Sequence, residues 1–296
     1  MADLPTEVTR VEVAGRTLRL TSLSKILYPA TETTKGEVLN YYATVAPVLL
    51  PQLAGRPVTR VRWPHGVADQ SFFEKNLPSG APSWLPRVQV SDVTYPLVED
   101  IAQLTYLINL NALELHVPQW TVVAGEPQHP DRLVIDLDPG APAGLRECAQ
   151  VALLVRERLG ALGLDLVPVT SGSKGMQLYA RLGGDLSSDQ VRDLVAQLAQ
   201  ELTRAHPDLI VWKMTKSLRP GKIFLDWSQN VAAKTTICPY SLRGKELPYA
   251  ATPRTWDEVE SGAVTAAGRP GTLEQVLLED VPDRLARYGD LMAALT

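Results

Sequence analysis

The sequence predicts an α+β fold, an RRM-like sheet packed against an N-terminal α/β module around a central cleft. Three observations predict it. From Leu133 onward the patterns run strand–helix–strand–strand–helix–strand, the order of a ferredoxin-like, RRM-like sandwich. Residues 1–125 instead mix short strands with two apolar helices, punctuated by Pro and Gly. Finally, the strand that opens the second half ends in Asp136 and Asp138, directly before Pro139-Gly140, which leaves both carboxylates at its mouth. Two halves follow, 1–125 and 126–296, packed as one domain.

The elements are justified in chain order. Val11-Glu12-Val13 and Leu18-Arg19-Leu20 alternate on either side of Gly15, as a small hairpin does. Thr34-Lys35-Gly36-Glu37 has capping-box spacing, and Val38, Leu39, Tyr42, Val45 and Leu49 follow at helical spacing, with Pro51 expected to end the helix. Extended segments are expected around 58–62, 71–74 and 88–96, then a largely buried helix over 101–114. Gly125 to Arg132 is polar and proline-bearing and reads as a link. Leu133 to Asp138 is a strand, 143–162 a helix, and 166–171 and 176–180 strands flanking Ser171-Gly172-Ser173-Lys174-Gly175. Residues 188–205 form an amphipathic helix capped by Ser187 or Ser188. Strands near 209–212 and 222–227 complete the order, and the tail, 256–296, reads as helical and acidic.

Composition narrows the function classes. The 296 residues are 45% hydrophobic and 21% charged, ordinary for a soluble globular protein. MADLPTEVTR has no apolar core of a signal peptide, and no stretch approaches the ~18 apolar residues of a membrane helix. A cytoplasmic protein without membrane contact is expected. Cys148 and Cys238 lack metal-site or CxxC spacing and read as buried free thiols. The net charge of −4 argues against a protein that coats nucleic acid everywhere, yet residues 213–245 carry seven basic side chains and one acid. Arg56 to Arg62 adds three arginines and no acid. Such clusters can neutralise phosphates locally, or can simply be solvated faces.

The chemistry lies in Leu133-Val134-Ile135-Asp136-Leu137-Asp138. The strand period puts Leu133, Ile135 and Leu137 on one face and the two aspartates on the other, about 6.5–7 Å apart at Cα. Asp226 recurs at the end of Ile223-Phe224-Leu225. Three carboxylates on neighbouring strands suit two divalent cations, which prefer oxygen ligands. Ser171, Gly172, Ser173, Lys174 and Gly175 could cradle phosphate, though the loop is not a Walker A sequence and a plain glycine-rich connection has the same appearance. Arg219, Lys222, Lys234 and Arg243 are candidates for a triphosphate clamp. Phe72 and Phe73 are two of three phenylalanines; one could pack in the core and the other stack on a base, while pattern alone favours core packing of both.

At this point a resemblance becomes legible. It is carried by Leu23-Ser24-Lys25-Ile26-Leu27-Tyr28-Pro29, Ala54-Gly55-Arg56-Pro57, Phe72-Phe73-Glu74-Lys75 and Leu115-His116-Val117-Pro118-Gln119-Trp120. It continues through Asp136-Leu137-Asp138-Pro139-Gly140, Thr170 to Gly175, Lys216-Ser217-Leu218-Arg219, Asp226-Trp227-Ser228-Gln229-Asn230, Lys234-Thr235-Thr236 and Pro239 to Gly244. In these stretches the chain closely resembles the polymerase domain of bacterial ligase D, in the archaeo-eukaryotic primase superfamily. The resemblance implies a primase-polymerase fold. It also implies a DNA-repair nucleotidyltransferase of non-homologous end joining that adds nucleotides, ribonucleotides by preference, to DNA 3′ ends.

The same resemblance implies residue roles. Asp136, Asp138 and Asp226 would bind two manganese or magnesium ions. His116, Ser171, Ser173, Lys174, Gln177, Arg219, Gln229, Lys234 and Arg243 would surround the incoming NTP or dNTP. Lys25 and Lys35, which look like ordinary surface lysines otherwise, would meet the downstream 5′-phosphate, and Phe72 and Phe73 the template bases. The implied partners are gapped or broken DNA, the end-binding protein Ku and a fused or separate DNA ligase, on the bacterial nucleoid. Two departures stand out: Gln177 replaces the usual motif histidine, and Val61 stands between Arg60 and Arg62 where close relatives can carry lysine. A stand-alone primase or translesion enzyme, and a non-catalytic module that holds DNA ends, are the competing readings.

Overall fold

The opening hairpin pairs β1 (Val8–Val13) with β2 (Arg16–Thr21) in antiparallel register, as the alternation predicts. The computed structural model describes residues 7–264 and 273–295. A short hairpin of β3 (Ile26–Tyr28) and β4 (Thr33–Thr34) then leads into α1 (Lys35–Leu53). The predicted capping box forms: Thr34 Oγ1 accepts from the Glu37 N–H, and the Thr34 N–H donates to Glu37 Oε2 at 2.7 Å. Pro51 does not end this helix. Ala43, Pro47 and Pro51 lie on its exposed side, so the carbonyls that lose a partner to each proline face water and the helix runs on to Leu53.

β5 (Thr59–Arg62) and β6 (Phe72–Glu74) follow, then a hairpin of β7 (Arg87–Val90) and β8 (Val93–Pro96). The helix expected over 101–114 is shorter. It spans α2 (Ile101–Asn109), and after a turn with Asn111 at φ +62° the chain becomes β9 (Ala112–Val117). Ala112, Leu113, Leu115 and Val117 are all fully buried, so the start of this strand continues the apolar composition of the buried helix before it. The polar link is not a link either: β10 (Trp120–Val123) and β11 (Glu126–Pro130) form a hairpin turning at Ala124-Gly125.

The second half meets its predicted order. β12 (Arg132–Pro139), α3 (Leu145–Gly160), β13 (Leu166–Thr170), β14 (Met176–Arg181), α4 (Ser188–Ala205), β15 (Ile210–Val211) and β16 (Ile223–Asp226) follow one another, with Ser187 capping α4. Then come β17 (Thr236–Ile237), β18 (Tyr249–Ala250), β19 (Thr252–Pro253), α5 (Trp256–Ala263), β20 (Val276–Leu277) and α6 (Val281–Tyr288). Among its described residues the tail expected to be helical holds two short helices, the strand β20 and a 3-10 turn at Ala293–Leu295, and its residues 265–272 and 296 lie outside the described ones.

The main sheet has the order β15-β16-β12-β14-β13-β19. Its inner four strands, β16-β12-β14-β13, are antiparallel neighbours in the RRM-like arrangement, and β15 and β19 are additions at the two edges. Leu133, Ile135, Leu137, Leu178 and Leu225 bury one face against Val151 and Val155 of α3 and Val195 and Leu202 of α4. On the other face Val134, Val169 and Tyr179 join a second core built from α1, α2 and β9. A four-stranded sheet, β17-β9-β5-β6, lies across this second core, so β17 pairs with a strand from the first half of the chain. Both cysteines are buried free thiols.

Candidate active site

The strand period that buries Leu133, Ile135 and Leu137 turns Asp136 and Asp138 to the opposite face, and the cross-strand register completes the site. Asp136 lies directly between Gln177 on β14 and Asp226 on β16, so one row across the sheet reads Gln177, Asp136, Asp226. Carboxylate oxygens of Asp136, Asp138 and Asp226 all lie within 4.8 Å of one another. Asp226 is buried, Asp136 half-buried and Asp138 exposed.

Each acid is oriented by neighbours. Asp226 caps the turn Trp227–Asn230: its Oδ1 accepts from the Ser228 N–H at 2.9 Å and from Ser228 Oγ at 2.5 Å, and its Oδ2 from Gln229 Nε2 at 3.3 Å. Lys234 Nζ donates to Ser228 Oγ and lies 3.9 Å from Asp226 Oδ2. The same turn brings Asn230 to the Val134 N–H and C=O, extending β12's pairing where β16 has ended. Gln177 is buried, accepts from the Tyr179 hydroxyl at 2.9 Å and hydrogen-bonds the Asp136 carboxylate. Tyr179 also donates to the Ile237 carbonyl, opposite His116 in the second sheet.

Electrostatics at the row are strained without a cation. Burial, followed by the charges of Asp138 and Asp226, pushes Asp136 up to about 8, against the opposing hydrogen bond from Gln177. Asp138, whose surface reaches solvent but whose surroundings in the cleft still desolvate it, also rises, first through that desolvation and then through Asp226, opposed by Arg219 and Arg243. An all-oxygen set of three mutually repelling carboxylates fits a hard divalent cation, which supplies the charge that the site lacks.

The loop between β13 and β14 closes over the row. The Ser171 N–H donates to the Gly175 carbonyl at 3.0 Å, and the Ser173 N–H to Ser171 Oγ at 3.3 Å, which leaves Lys174 exposed at the tip. Gly175 is required by contact: a Cβ there would stand 2.0 Å from the Leu137 carbonyl oxygen of β12. Gly172 combines φ +67° with a would-be Cβ 2.6 Å from Arg243 Cγ, so the arginine runs directly across the loop. Arg219 reaches the site from the other side, stacked 3.6 Å from the Phe224 ring centroid, and Phe224 is the cross-strand partner of Asp138.

Two residues of this surround carried no attention in sequence. Gln275 accepts from the Gly172 N–H at 2.7 Å and donates to the Gly175 carbonyl at 3.1 Å, bracing the loop from the far end of the chain. No local pattern reports a contact across 103 residues of separation. Glu114 accepts from His116 Nε2 at 2.7 Å and from the Gly244 N–H at 3.0 Å, beside Arg243. Its spacing of two from His116 on a strand was a readable signal.

The remaining predicted residues lie elsewhere. Lys35 is not a surface lysine: it is 2% exposed, its Nζ donates to Thr21 Oγ1 at 3.2 Å, and burial and then Lys25 bring it down to about 8. Lys25 Nζ donates to the Pro64 carbonyl, and the Lys35 N–H to the Lys25 carbonyl at 2.8 Å, so the two lysines are neighbours whose charges act on each other. Phe72 and Phe73 are exposed at 45% and 60%, correcting the core expectation, because β6 is the edge of its sheet and nothing described covers either face. The Arg56–Arg62 cluster is largely paired within the protein: Arg56 pairs with Asp131, and Arg60 and Arg62 share Glu74, which leaves one positive charge in excess.

A carboxylate trio at the mouth of an RRM-like sheet, faced by arginines and a glycine-rich loop, is the arrangement of the primase-polymerase class. The chain belongs to the LigD primase-polymerase domain family, whose pattern matches residues 34–292. It is 47% identical over 282 residues to the multifunctional non-homologous end joining protein LigD of Mycolicibacterium smegmatis, covering 94% of this chain and 36% of that protein. The bifunctional non-homologous end joining protein LigD of Bacillus subtilis is 34% identical over 273 residues, covering 92% and 43%. The chain thus spans roughly a third to two-fifths of the length of these relatives. Among solved structures, the polymerase domain of Mycobacterium tuberculosis ligase D in complex with DNA superposes with a TM-score of 0.89 at 46% identity, covering 94% of this chain and 97% of that one. Among the described residues no helix is long and apolar enough to cross a membrane.

Proposed function

We propose that this chain is a DNA-repair nucleotidyltransferase that extends DNA 3′ ends and fills short gaps at double-strand breaks in bacterial non-homologous end joining. The observation that carries the reading is the convergence of Asp136, Asp138 and Asp226 within 4.8 Å, Asp136 and Asp226 as cross-strand partners and Asp138 two residues on along the same face of β12. These three would hold two manganese or magnesium ions, which when bound activate the primer 3′ hydroxyl and neutralise charge on the leaving pyrophosphate. Everything else is positioning and charge, which is most of what phosphoryl transfer requires.

Arg219, held flat on Phe224, and Arg243, lying across Gly172, would face the triphosphate from opposite sides, with Lys174, Lys234 and the hydroxyls of Ser171 and Ser173 contributing donors. His116 would stand beside the same nucleotide. Gln177 and Gln229, whose amides turn toward Asp136 and Asp226, would steady the metal ligands as well as meet the nucleotide. The Lys25–Lys35 pair would bind the downstream 5′-phosphate, and exposed Phe72 and Phe73 would stack on template bases. Ku and a DNA ligase would supply end binding and sealing, in the cytoplasm at the nucleoid.

The test is primer extension on a gapped duplex, comparing a downstream 5′-phosphate with a 5′-hydroxyl, with manganese and rNTPs or dNTPs. Extension that is stimulated by the phosphate and abolished in the Asp136→Ala/Asp138→Ala variant supports the proposal. Extension indifferent to the phosphate points to a primase-like role. Phosphate-dependent binding without extension points to a module that holds ends.

A further inference from the structure

We propose that Glu114 is a positioning residue for nucleotide transfer: it joins His116 and Arg243 into one unit that meets the incoming nucleotide. The inference deepens the nucleotide-site reading above and rests on it.

Glu114 points from β9 to the same face as His116, two residues on, while its neighbours Leu113 and Leu115 are fully buried in the core. Its side chain is 7% exposed. A carboxylate is costly to bury unless its oxygens are partnered by donors. Here every partner belongs to one of two segments of the site. Oε2 accepts from His116 Nε2 at 2.7 Å. Oε1 accepts from the Gly244 N–H at 3.0 Å and makes an ion pair with Arg243, whose Nε lies 3.2 Å away without hydrogen-bond geometry.

This arrangement decides which atoms remain for a ligand. With Nε2 of His116 committed to Glu114, Nδ1 is the ring nitrogen left to face the nucleotide. With Nε of Arg243 turned to Glu114 in an ion pair, its two terminal amino groups, which have no hydrogen-bond partner among the described residues, are the edge that suits a phosphate. The Arg243 backbone is fixed independently, its carbonyl accepting from the Tyr28 hydroxyl at 2.8 Å and its N–H donating to the Tyr249 carbonyl at 2.8 Å. The Trp63 ring packs on Gly244 so closely that a Cβ there would lie 2.1 Å from it. Among the described residues Glu114 is the one carboxylate paired with the Arg243 side chain, and it holds His116 with the same group.

The test is single-nucleotide extension of a gapped duplex with rNTP and manganese, by the wild type, E114A, E114Q, H116A, R243A and the doubles E114A/H116A and E114A/R243A. Manganese affinity and melting temperature are measured alongside. Loss of a charged hydrogen-bonding partner predicts that E114A raises the KM for rNTP about tenfold or more with manganese affinity unchanged. The double variants fall well short of the product of the singles, because the three residues act together. E114Q, which keeps the shape and one acceptor oxygen, recovers part of the loss. In the wild type, nitrogen NMR shows Nε2 of His116 protonated and Nδ1 shifting when rNTP is added, a readout that survives even if E114A fails to fold. Fully multiplicative doubles, or an Nδ1–H tautomer, overturn the proposal. A raised KM in H116A and R243A but not in E114A or E114Q overturns the role of Glu114 alone. An unchanged KM in H116A and R243A overturns the nucleotide-site reading beneath it.

Discussion

Asp136 and Asp226 are direct cross-strand partners, each at the point where its strand reaches the cleft, so the spacing of two metal-ligand candidates is set by the pairing of β12 with β16. Loops therefore do not decide it. A site built on strand register is held as rigidly as the sheet itself.

That rigidity has a pH signature. With Asp136 brought up to about 8 in the metal-free protein, against an ordinary value of 3.8, the folded state holds a proton that the unfolded chain has released. The contribution of this group is therefore full below the unfolded value and is lost as pH rises from 3.8 through about 8. Asp136→Asn is expected to raise the melting temperature of metal-free protein at pH 8 by about 2–4 °C. Manganese should do the same for the wild type but not for the variant. Binding should release protons and weaken on acidification, which calorimetry in buffers of different ionisation heat measures.

The lysine pair responds to pH with a different sign. Lys35, brought down to about 8 by burial and Lys25, loses its charge in the free protein as pH passes upward through that value. Stimulation of gap filling by a downstream 5′-phosphate is expected to decline between pH 7 and 9, and Lys35→Ala to abolish it at every pH. Anisotropy titrations of phosphorylated and unphosphorylated gapped duplexes give the comparison. Equal ratios at both pH values would refute the assignment.

Gln275→Ala removes both hydrogen bonds that brace the Ser171–Gly175 loop. The expected outcome is a rise of about three- to tenfold in KM for the nucleotide, consistent with one to two ordinary hydrogen bonds. Hydrogen exchange at Gly172 should accelerate while the strands of the sheet stay protected.

Phe73→Ala should separate binding from stability. The ring is 60% exposed, so the melting temperature should barely move. Affinity for templated DNA should fall by about 1–3 kcal/mol, the usual worth of one stacked base. A large loss of stability instead would mean that the ring packs against protein.

Much of this fold was legible because periodicity reports faces. The Asp136–Asp138 strand, the capping box at Thr34 and the strand–helix–strand–strand–helix–strand succession from Leu133 were all readable from spacing. The errors have physical causes. The leucine-rich stretch Leu107–Leu115 hides the change from α2 to β9, since a buried strand and a buried helix can share composition. Pro127 and Pro130 made a hairpin strand look like a linker. In the site, the acids were visible, but the bracing of the loop by Gln275 and the burial of Lys35 exist only once distant segments meet. The Arg56–Arg62 charges showed the opposite failure: Asp131 and Glu74, which pair with them and leave one charge in excess, lie outside the segment in sequence.

The Gln275 brace also sets an order of assembly. The strands that carry Asp136, Asp138 and Asp226 are complete by residue 226, and the loop after Thr170 has left the ribosome earlier still. Its clamp arrives only with residue 275, about fifty residues after the last acid, at synthesis rates of some 5–20 residues per second. For those few seconds a nascent chain carries its acidic row beneath an untethered loop. On the proposed reading, competence for tight nucleotide binding would be gained late, once the segment carrying Gln275 docks.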